Sequence, residues 1–497
     1  MPYYATGGGG GELPRQAGVD YHFLAVTVGP AGVRVGKVSL PEKSRPPLLE
    51  FWKYLWFQIH AWFYVAWLNF FLGLALVWLI LFTLYTKLAE QVDYYPPLNL
   101  EPTPPRKLTI VMFTNNYFPF VGGVPIAIHR LKKGLERLGH RVYIFAPRYD
   151  RQEAEEENII RCRPLFQYRK GNFVVPVTNI FSTRIAREFA RLAPDVVHLH
   201  HPYWLGHVGQ KLARRHGLAT VYTYHTRLER LNHYLPLFRG LAGGRIPHML
   251  IKHFANLCDA IIAPTMTAKS YLRNLGVGKT IAVLPTGVDL DAYRHEPEEV
   301  AALHAELGGG RLVLLSVFRL SAEKNPYFFL EGIDRLRQVT TIPFRCVIAG
   351  DGPERDKMTA RIAELGLQEE VRLLGNVPPA EIALYYQAAD LFVFASQAET
   401  QGLVVLEAMA GGCPVVAVAA SGVADVIRNG RNGFATEATV AAWSARIAEL
   451  LADDARRRQL ASQAREDARQ YSLEAMAAQV VSLYGQVRQL KGESGAG

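Results

Sequence analysis

Two glutamates, Glu399 and Glu407, stand with seven residues between them in ETQGLVVLE, on either side of Gly402. The apolar run ADLFVFAS before them reads as a strand and VVLEAMAGG as a helix, so Glu399 lies in the strand-to-helix turn and Glu407 on the helix. The first backbone N–H groups of that helix, beyond Gly402, have no partner within it and can hold an anion such as a diphosphate. Glu407 can accept hydrogen bonds from paired hydroxyls such as a ribose diol. The same spacing also describes a carboxylate favoured by the helix dipole beside a solvated glutamate. Two cations, Arg319 and Lys324, flank the loop FRLSAEKN directly after the run RLVLLSV. There they can neutralise a pyrophosphate leaving group, a contact that strengthens as charge develops, or be an ordinary solvated loop. Gly122 and Gly123 open a helix after LTIVMF, where they let backbone approach a ligand closely or simply make a tight turn. His198, His200 and His201 end the strand of DVVHLHHPYWLG. Alternate strand residues point to opposite faces, so His198 and His200 share a face that His201 does not. Two histidines without a nearby carboxylate make a poor metal site.

These groups need a scaffold that collects strand ends. From Leu108 the pattern alternates: LTIVMF, then GVPIAIHRLKKGLERLG, then RVYIFA. Val124, Ile128, Leu131, Leu135 and Leu138 follow helical spacing, and Gly139 ends the helix. PDVVHLH, LATVYTY, DAIIA and IAVLP continue as short strands buried on both faces, as parallel sheets require. A second series, RLVLLSV, RCVIAG, VRLL, ADLFVFAS and PVVAV, begins after a break near residue 295. The fold class is α/β, with two Rossmann-like doubly wound domains, 108–294 and 295–470, facing across a cleft, and a C-terminal helix and tail at 471–497. Ligands of such sheets bind at the carboxyl ends of strands, so the cleft is the expected site.

The N-terminal part reads differently. Residues 1–50 form an extension in which alternation around Gly29 and Pro30 predicts a hairpin. Residues 51–88 are expected to be a membrane segment, because Leu55 to Tyr85 carries no formal charge over 31 residues, against roughly 20 needed to cross the hydrocarbon. Trp52, Trp56, Trp62, Trp67, Trp78 and Tyr85 are placed like interfacial anchors. Arg34, Lys37, Lys43, Arg45 and Lys53 precede the run, and only Lys87 and Arg106 closely follow it. A single span would then keep the N-terminus in the cytoplasm; a re-entrant hairpin near Asn69 and Gly73 leaves both ends on one side. A linker with five prolines follows at 89–107. The net charge of +10 fits contact with anionic lipid, and no nucleic-acid module is present. Arg130, Lys132, Lys133 and Arg137, with Arg184, Arg187 and Arg191, supply a basic membrane-facing surface or solvated helix faces. Cys162, Cys258, Cys346 and Cys413 are scattered and read as small core residues.

ETQGLVVLEAMAGGCPVVA resembles the E-x7-E motif of the large family of retaining glycosyltransferases, family 4, that has the two-domain GT-B fold. GGVPIAIHRL, DVVHLHHPYWLG, VYTYHT, CDAIIAPT, LPTGVD, FRLSAEKN, IAGDGP and LGNVP fall in that family's order over roughly residues 108–490. The resemblance implies an acceptor-side first domain and a nucleotide-sugar-binding second domain. It implies that Glu399 contacts the transferred sugar, that Glu407 contacts the nucleotide ribose, and that Arg319 and Lys324 bind the pyrophosphate. Gly122, Gly123, Val377, Gln401, Gly402 and Leu403 complete the implied donor site, His200 is the implied active-site histidine, and His225 and Thr226 line the acceptor side. The family retains anomeric configuration by front-face attack, in which the departing phosphate oxygen helps take the acceptor proton. Paired-carboxylate hydrolase logic then does not apply to the two glutamates. No D-x-D stands where a metal-dependent transferase needs one, so neither metal nor cofactor is expected and the nucleotide sugar is a substrate.

VYTYHTRLERLNHYLP and SQAETQGLVVLEAMA are similar to diacylglycerol glucosyltransferases. That similarity implies transfer of a hexose, glucose, from a UDP-sugar to a membrane lipid, diacylglycerol, with the catalytic domains on the cytoplasmic face of the cell inner membrane. A polyprenyl-linked or lipopolysaccharide acceptor is the alternative within the family. A non-catalytic membrane scaffold is the alternative outside it. The N-terminal membrane segment departs from those enzymes, which usually dock peripherally.

Overall fold

The computed structural model describes residues 22–30, 32–39, 47–65, 67–88, 106–120, 122–149, 157–170, 173–225, 245–397, 399–420 and 422–494. The chain divides into two compact units, Met1–Lys87 and Leu88–Gly497. Residues 89–105 of the proline-rich linker and Thr226 lie outside the described residues.

In the first unit, β1 (His22–Gly29) and β2 (Gly32–Ser39) pair antiparallel, with Gly29 opposite Gly32, as the alternation predicts. Helices α1 (Pro47–Val65) and α2 (Trp67–Leu88) follow. Among the described residues no helix is long and apolar enough to cross a membrane. The expectation of a membrane segment at 51–88 is corrected accordingly: the uncharged run is shared between two helices. The first takes up Glu50 and Lys53.

The second unit holds two parallel sheets. The first collects β3 (Thr109–Phe113), β4 (Arg141–Pro147) and β5 (Ile159–Cys162), followed along the chain by a separate antiparallel hairpin, β6 (Pro164–Lys170) and β7 (Phe173–Thr178). It is completed by β8 (Val196–Leu199), β9 (Ala219–Thr223), β10 (Ala260–Ala263) and β11 (Thr280–Val283), in the order β11-β10-β9-β8-β3-β4-β5. Its helices are α3 (Gly123–Arg137), α4 (Thr183–Leu192), α5 (Leu205–Arg215), α6 (Arg245–Leu257) and α7 (Met266–Asn274). All five residues of β3 are buried. Ile110 and Met112 feed one core while Val111 and Phe113 feed another, which is how a two-residue period fills both faces of a sheet.

The second sheet runs β14-β13-β12-β15-β16-β17, built from β12 (Leu312–Val317), β13 (Phe344–Ala349), β14 (Val371–Gly375), β15 (Leu391–Phe394), β16 (Val415–Val418) and β17 (Gly433–Thr436). Around it lie α8 (Pro297–Gly308), α9 (Pro326–Val339), α10 (Arg355–Glu364), α11 (Ile382–Ala388), α12 (Leu403–Gly411), α13 (Val440–Ala452) and α14 (Asp454–Ala468). The last helix, α15 (Leu473–Ser494), returns to the first sheet. Met476, Ala477, Val480 and Tyr484 join the core of Ile110 and Leu135, while Arg488 pairs with Asp195 and Lys491 with Asp259. Gly134 of α3 makes room for this helix, since a Cβ there would sit 2.6 Å from the Leu473 carbonyl oxygen.

Candidate active site

The carboxylate side of the cleft is built on the turn between β15 and α12. Gly402 caps α12 at φ +71, a left-handed conformation that favours glycine. Before it, Glu399 accepts a hydrogen bond from Lys324 of the Ala322–Lys324 turn after β12, so two residues predicted for the donor meet as an ion pair. Arg319 is exposed in the same loop. The loop is pinned by two glycines of IAGDGP. A Cβ at Gly350 would fall 1.9 Å from the Phe318 carbonyl oxygen, and one at Gly352 would fall 2.3 Å from that of Leu320.

Glu407 is buried on α12. Its Oε1 accepts from Arg130 of α3, and its Oε2 accepts from the Tyr386 hydroxyl at 2.9 Å. Burial opposes the Arg130 charge, but the Glu407 carboxylate outweighs it and raises the pKa. Burial, then Glu407, pushes Tyr386 and Tyr293 well above the ordinary phenol range. The carboxylate expected to meet a ribose diol is therefore already engaged by a side chain from the other domain. Gln401, also expected at the donor, has its amide turned to the first domain instead. Its oxygen accepts from Thr286 N at 2.9 Å and its nitrogen donates to Thr286 O at 3.2 Å. Leu403 and Val377 are half-buried, the latter in the loop after β14.

The basic face of α3 differs from its expectation as a membrane surface. Lys132 pairs with Glu136, Lys133 with Asp289, and Arg137 with Asp289, Asp291 and Glu474. With Arg130 on Glu407, Lys133 and Arg137 fasten α3 to other parts of the same unit, while Lys132 is paired within the helix. At the start of the helix Gly122 is extended, with φ 177, which any residue adopts. A Cβ on Gly123 would meet open space. The glycine pair is not demanded by backbone strain, though a Cβ on Gly122 would come within 3.2 Å of the Phe120 ring.

The opposite side is made of imidazoles at the ends of β8 and β9. His200 Nδ1 lies 2.9 Å from His225 Nε2, and the His200 ring stacks on His198 with centroids 4.3 Å apart. His200 Nε2 is buried with no hydrogen-bond partner among the described residues. His201 turns away, as the strand period requires, and its Nδ1 accepts from Asn115 N at 3.1 Å. Burial, then neighbouring imidazoles, pushes His198 and His201 down to about 3, and burial takes His225 to about 4. His200 is also lowered well below 6.5, first by burial. These rings are neutral hydrogen-bonding groups at neutral pH.

Three further residues organise the site. Asn115 donates through Nδ2 to Tyr203 O at 2.8 Å and accepts at Oδ1 from Leu205 N at 3.0 Å, which holds the loop after the histidines. Gly206 permits that loop, because a Cβ there would lie 1.7 Å from the His201 carbonyl oxygen. Thr265 caps α7 and donates to Thr400 O at 3.1 Å, joining the two domains. Thr265, Thr267, Tyr271 and Tyr224 line a crevice with Glu399 and Thr400. Glu399 thus faces the strand end that carries His225. The signals were a Thr between strand and helix in CDAIIAPT and an Asn closing the first strand.

Residues 304–467 match the family described as Glycosyl transferases group 1, and residues 121–292 match Glycosyltransferase Family 4. The alpha-monoglucosyldiacylglycerol synthase of Streptococcus pneumoniae is 33% identical over 319 residues, 62% of this chain and 71% of that one. The protein of the same name from Acholeplasma laidlawii is 30% identical over 339 residues, 66% and 84% of the two chains. A solved structure of Anabaena HepE in complex with UDP and glucose superposes with a TM-score of 0.61 at 19% identity, covering 76% of this chain and 100% of that one. At that identity the likeness concerns the fold alone.

Proposed function

The chain belongs to the group 1, family 4 glycosyltransferases, and from that premise we propose that it moves glucose from UDP-glucose to diacylglycerol at a membrane, with retention of configuration. The observation that carries this reading is the pair of glucosyldiacylglycerol synthases, of which the chain covers 71% and 84% at 33% and 30% identity. In this reading the donor diphosphate draws Lys324 and Arg319 onto its charge, which releases Glu399 to the hydroxyls of the sugar. The ribose competes with Arg130 for Glu407. His200 Nε2 is offered to the sugar or to the acceptor hydroxyl, and the departing phosphate oxygen takes the acceptor proton.

The lipid side of the reading rests on surface chemistry. Arg184, Arg187 and Arg191 are exposed on α4, beside Phe181 at 82% exposure, and Leu165 and Phe166 are exposed on β6. Cations next to uncovered apolar side chains suit the interface of an anionic leaflet. The exposed Trp52, Trp56, Trp67 and Trp78 of α1 and α2 suit it as well, as an anchor at the inner membrane with the catalytic domains in the cytoplasm. The test is incubation of the protein with radiolabelled UDP-glucose and vesicles of diacylglycerol and an anionic phospholipid. Label entering the lipid phase as glucosyl-diacylglycerol is the expected result. Transfer only when a polyprenyl phosphate replaces diacylglycerol would move the acceptor to the alternative, and no transfer to any lipid would overturn the reading.

A further inference from the structure

His200 is held on two sides. Its edge meets His225 through Nδ1 at 2.9 Å, and its face lies on His198 at 4.3 Å between centroids, with planes 28° apart. His198 is fixed at both ends of its own ring. Nδ1 lies 2.6 Å from the Tyr484 hydroxyl, and Nε2 lies 2.6 Å from Thr223 Oγ1. A hydroxyl both donates and accepts, so this pair satisfies either tautomer of a neutral imidazole and locks its plane. Tyr484 sits fully buried on α15, 286 residues beyond His198. The last helix of the chain therefore reaches across to the first sheet and terminates a chain of rings whose other end is His200 Nε2, buried and without a partner among the described residues. A buried nitrogen left unpaired in a cleft is where a substrate hydroxyl is expected.

We propose that Tyr484 is a positioning residue for the transfer: through His198 it holds the His200 ring so that Nε2 points at the reacting sugar or acceptor hydroxyl. The proposal rests on the reading of His200 as an active-site residue. Removing the Tyr484 hydroxyl leaves His198 anchored only by Thr223, free to turn about its terminal torsion and to carry the stacked ring with it. The ring of Tyr484 packs in the core, so Tyr484→Phe preserves packing and deletes only the anchor.

The experiment measures kcat and KM for UDP-glucose in the full chain with diacylglycerol vesicles, together with UDP binding by calorimetry and thermal unfolding. Tyr484→Phe and Thr223→Val should each lower kcat about tenfold, with KM and UDP binding changed less than twofold. Thr223→Ser, which keeps the hydroxyl, should stay within twofold of the parent. If His200→Ala abolishes turnover while Tyr484→Phe keeps the parental kcat, or if Thr223→Ser is as slow as Thr223→Val, the positioning role is overturned. If His200→Ala is fully active, the active-site reading falls and takes the proposal with it. Should Tyr484→Phe not fold, the Thr223 pair carries the same comparison. A parent that does not turn over UDP-glucose would sink the proposed reaction instead. In that case ¹⁵N resonances of labelled histidines decide the positioning: shifted His200 signals in Tyr484→Phe support it, and an unchanged spectrum overturns it.

Discussion

The two halves of the cleft use opposite electrostatics. On the second domain, every glutamate of the E-x7-E pair is matched to a cation, Glu399 to Lys324 and Glu407 to Arg130. On the first domain, four histidines crowd together and burial keeps them uncharged. A charged half can exchange partners with a charged ligand at modest net cost, because each ion leaves one counter-ion for another. A neutral half cannot bind charge in that way, but it can meet an alcohol without a competing ion. The division matches the proposed reaction, in which a nucleoside diphosphate enters one side and a lipid hydroxyl the other.

The most damaging break falls on the charged half. Glu399→Ala removes the carboxylate that lines the crevice with Tyr224 and Thr265. It should lower kcat by about 100- to 1,000-fold, the scale seen when one transition-state contact is lost. UDP affinity should change little, because Lys324 remains for the phosphate. Steady-state kinetics with calorimetric UDP titration separate the two quantities. Weakened UDP binding with intact kcat would make Glu399 an electrostatic support for Lys324 alone.

How far these halves were legible in sequence depends on the range of the interaction. The strands were readable because short parallel strands buried on both faces are plain apolar runs, as in TIVMF and AIIA. β17 was not, because Gly433 packs against Val415, where a Cβ would lie 2.5 Å from the carbonyl oxygen, and a glycine hides the apolar pattern. Glu399, Lys324 and Gly402 were found by motif and do converge. Partnerships across the cleft were invisible: Arg130 and Glu407 are 277 residues apart, and Gln401 and Thr286 are 115 apart. The basic face of α3 looked like a lipid-facing surface because helical spacing reports that charges share a side, not that Asp289, Asp291 and Glu474 wait opposite them. Tyr484 carried no signal, since a tyrosine on an amphipathic helix reads as core.

Neutral imidazoles and ion-paired carboxylates should also appear as two separate acid transitions in stability. Above pH 6.5 the folded and unfolded chains both hold the buried imidazoles neutral, so these rings do not affect stability. Below it the unfolded chain gains protons that His198, His201 and His225 refuse until about 3, 3 and 4. Stability should then fall by about 1.4 kcal/mol per pH unit for each ring. Asp289 acts in the same direction but in a lower pH window. Burial raises its pKa, but Lys133 and Arg137 outweigh that and leave it below 3.8, so its contribution is complete above that value and is lost only as pH falls through the lowered one. Urea denaturation between pH 7.5 and 3 should show the imidazole loss first. A flat profile from 7.5 to 5 would mean that the histidine half is open to solvent.

The smallest effect concerns an ion pair that joins the halves. Arg130 occupies Glu407 Oε1, and its NH1 is buried without a hydrogen-bond partner among the described residues. If the ribose must displace it, Arg130→Ala frees the carboxylate and KM for UDP-glucose should fall about threefold while kcat stays within twofold, a change worth less than about 1 kcal/mol. If Arg130 instead belongs to the donor site and moves onto the diphosphate, the same substitution raises KM, because a cation is lost from a dianionic ligand. The sign of the change in KM therefore decides whether the cleft is closed by its own side chains until the donor arrives, or whether α3 adds a further cation beside Arg319 and Lys324.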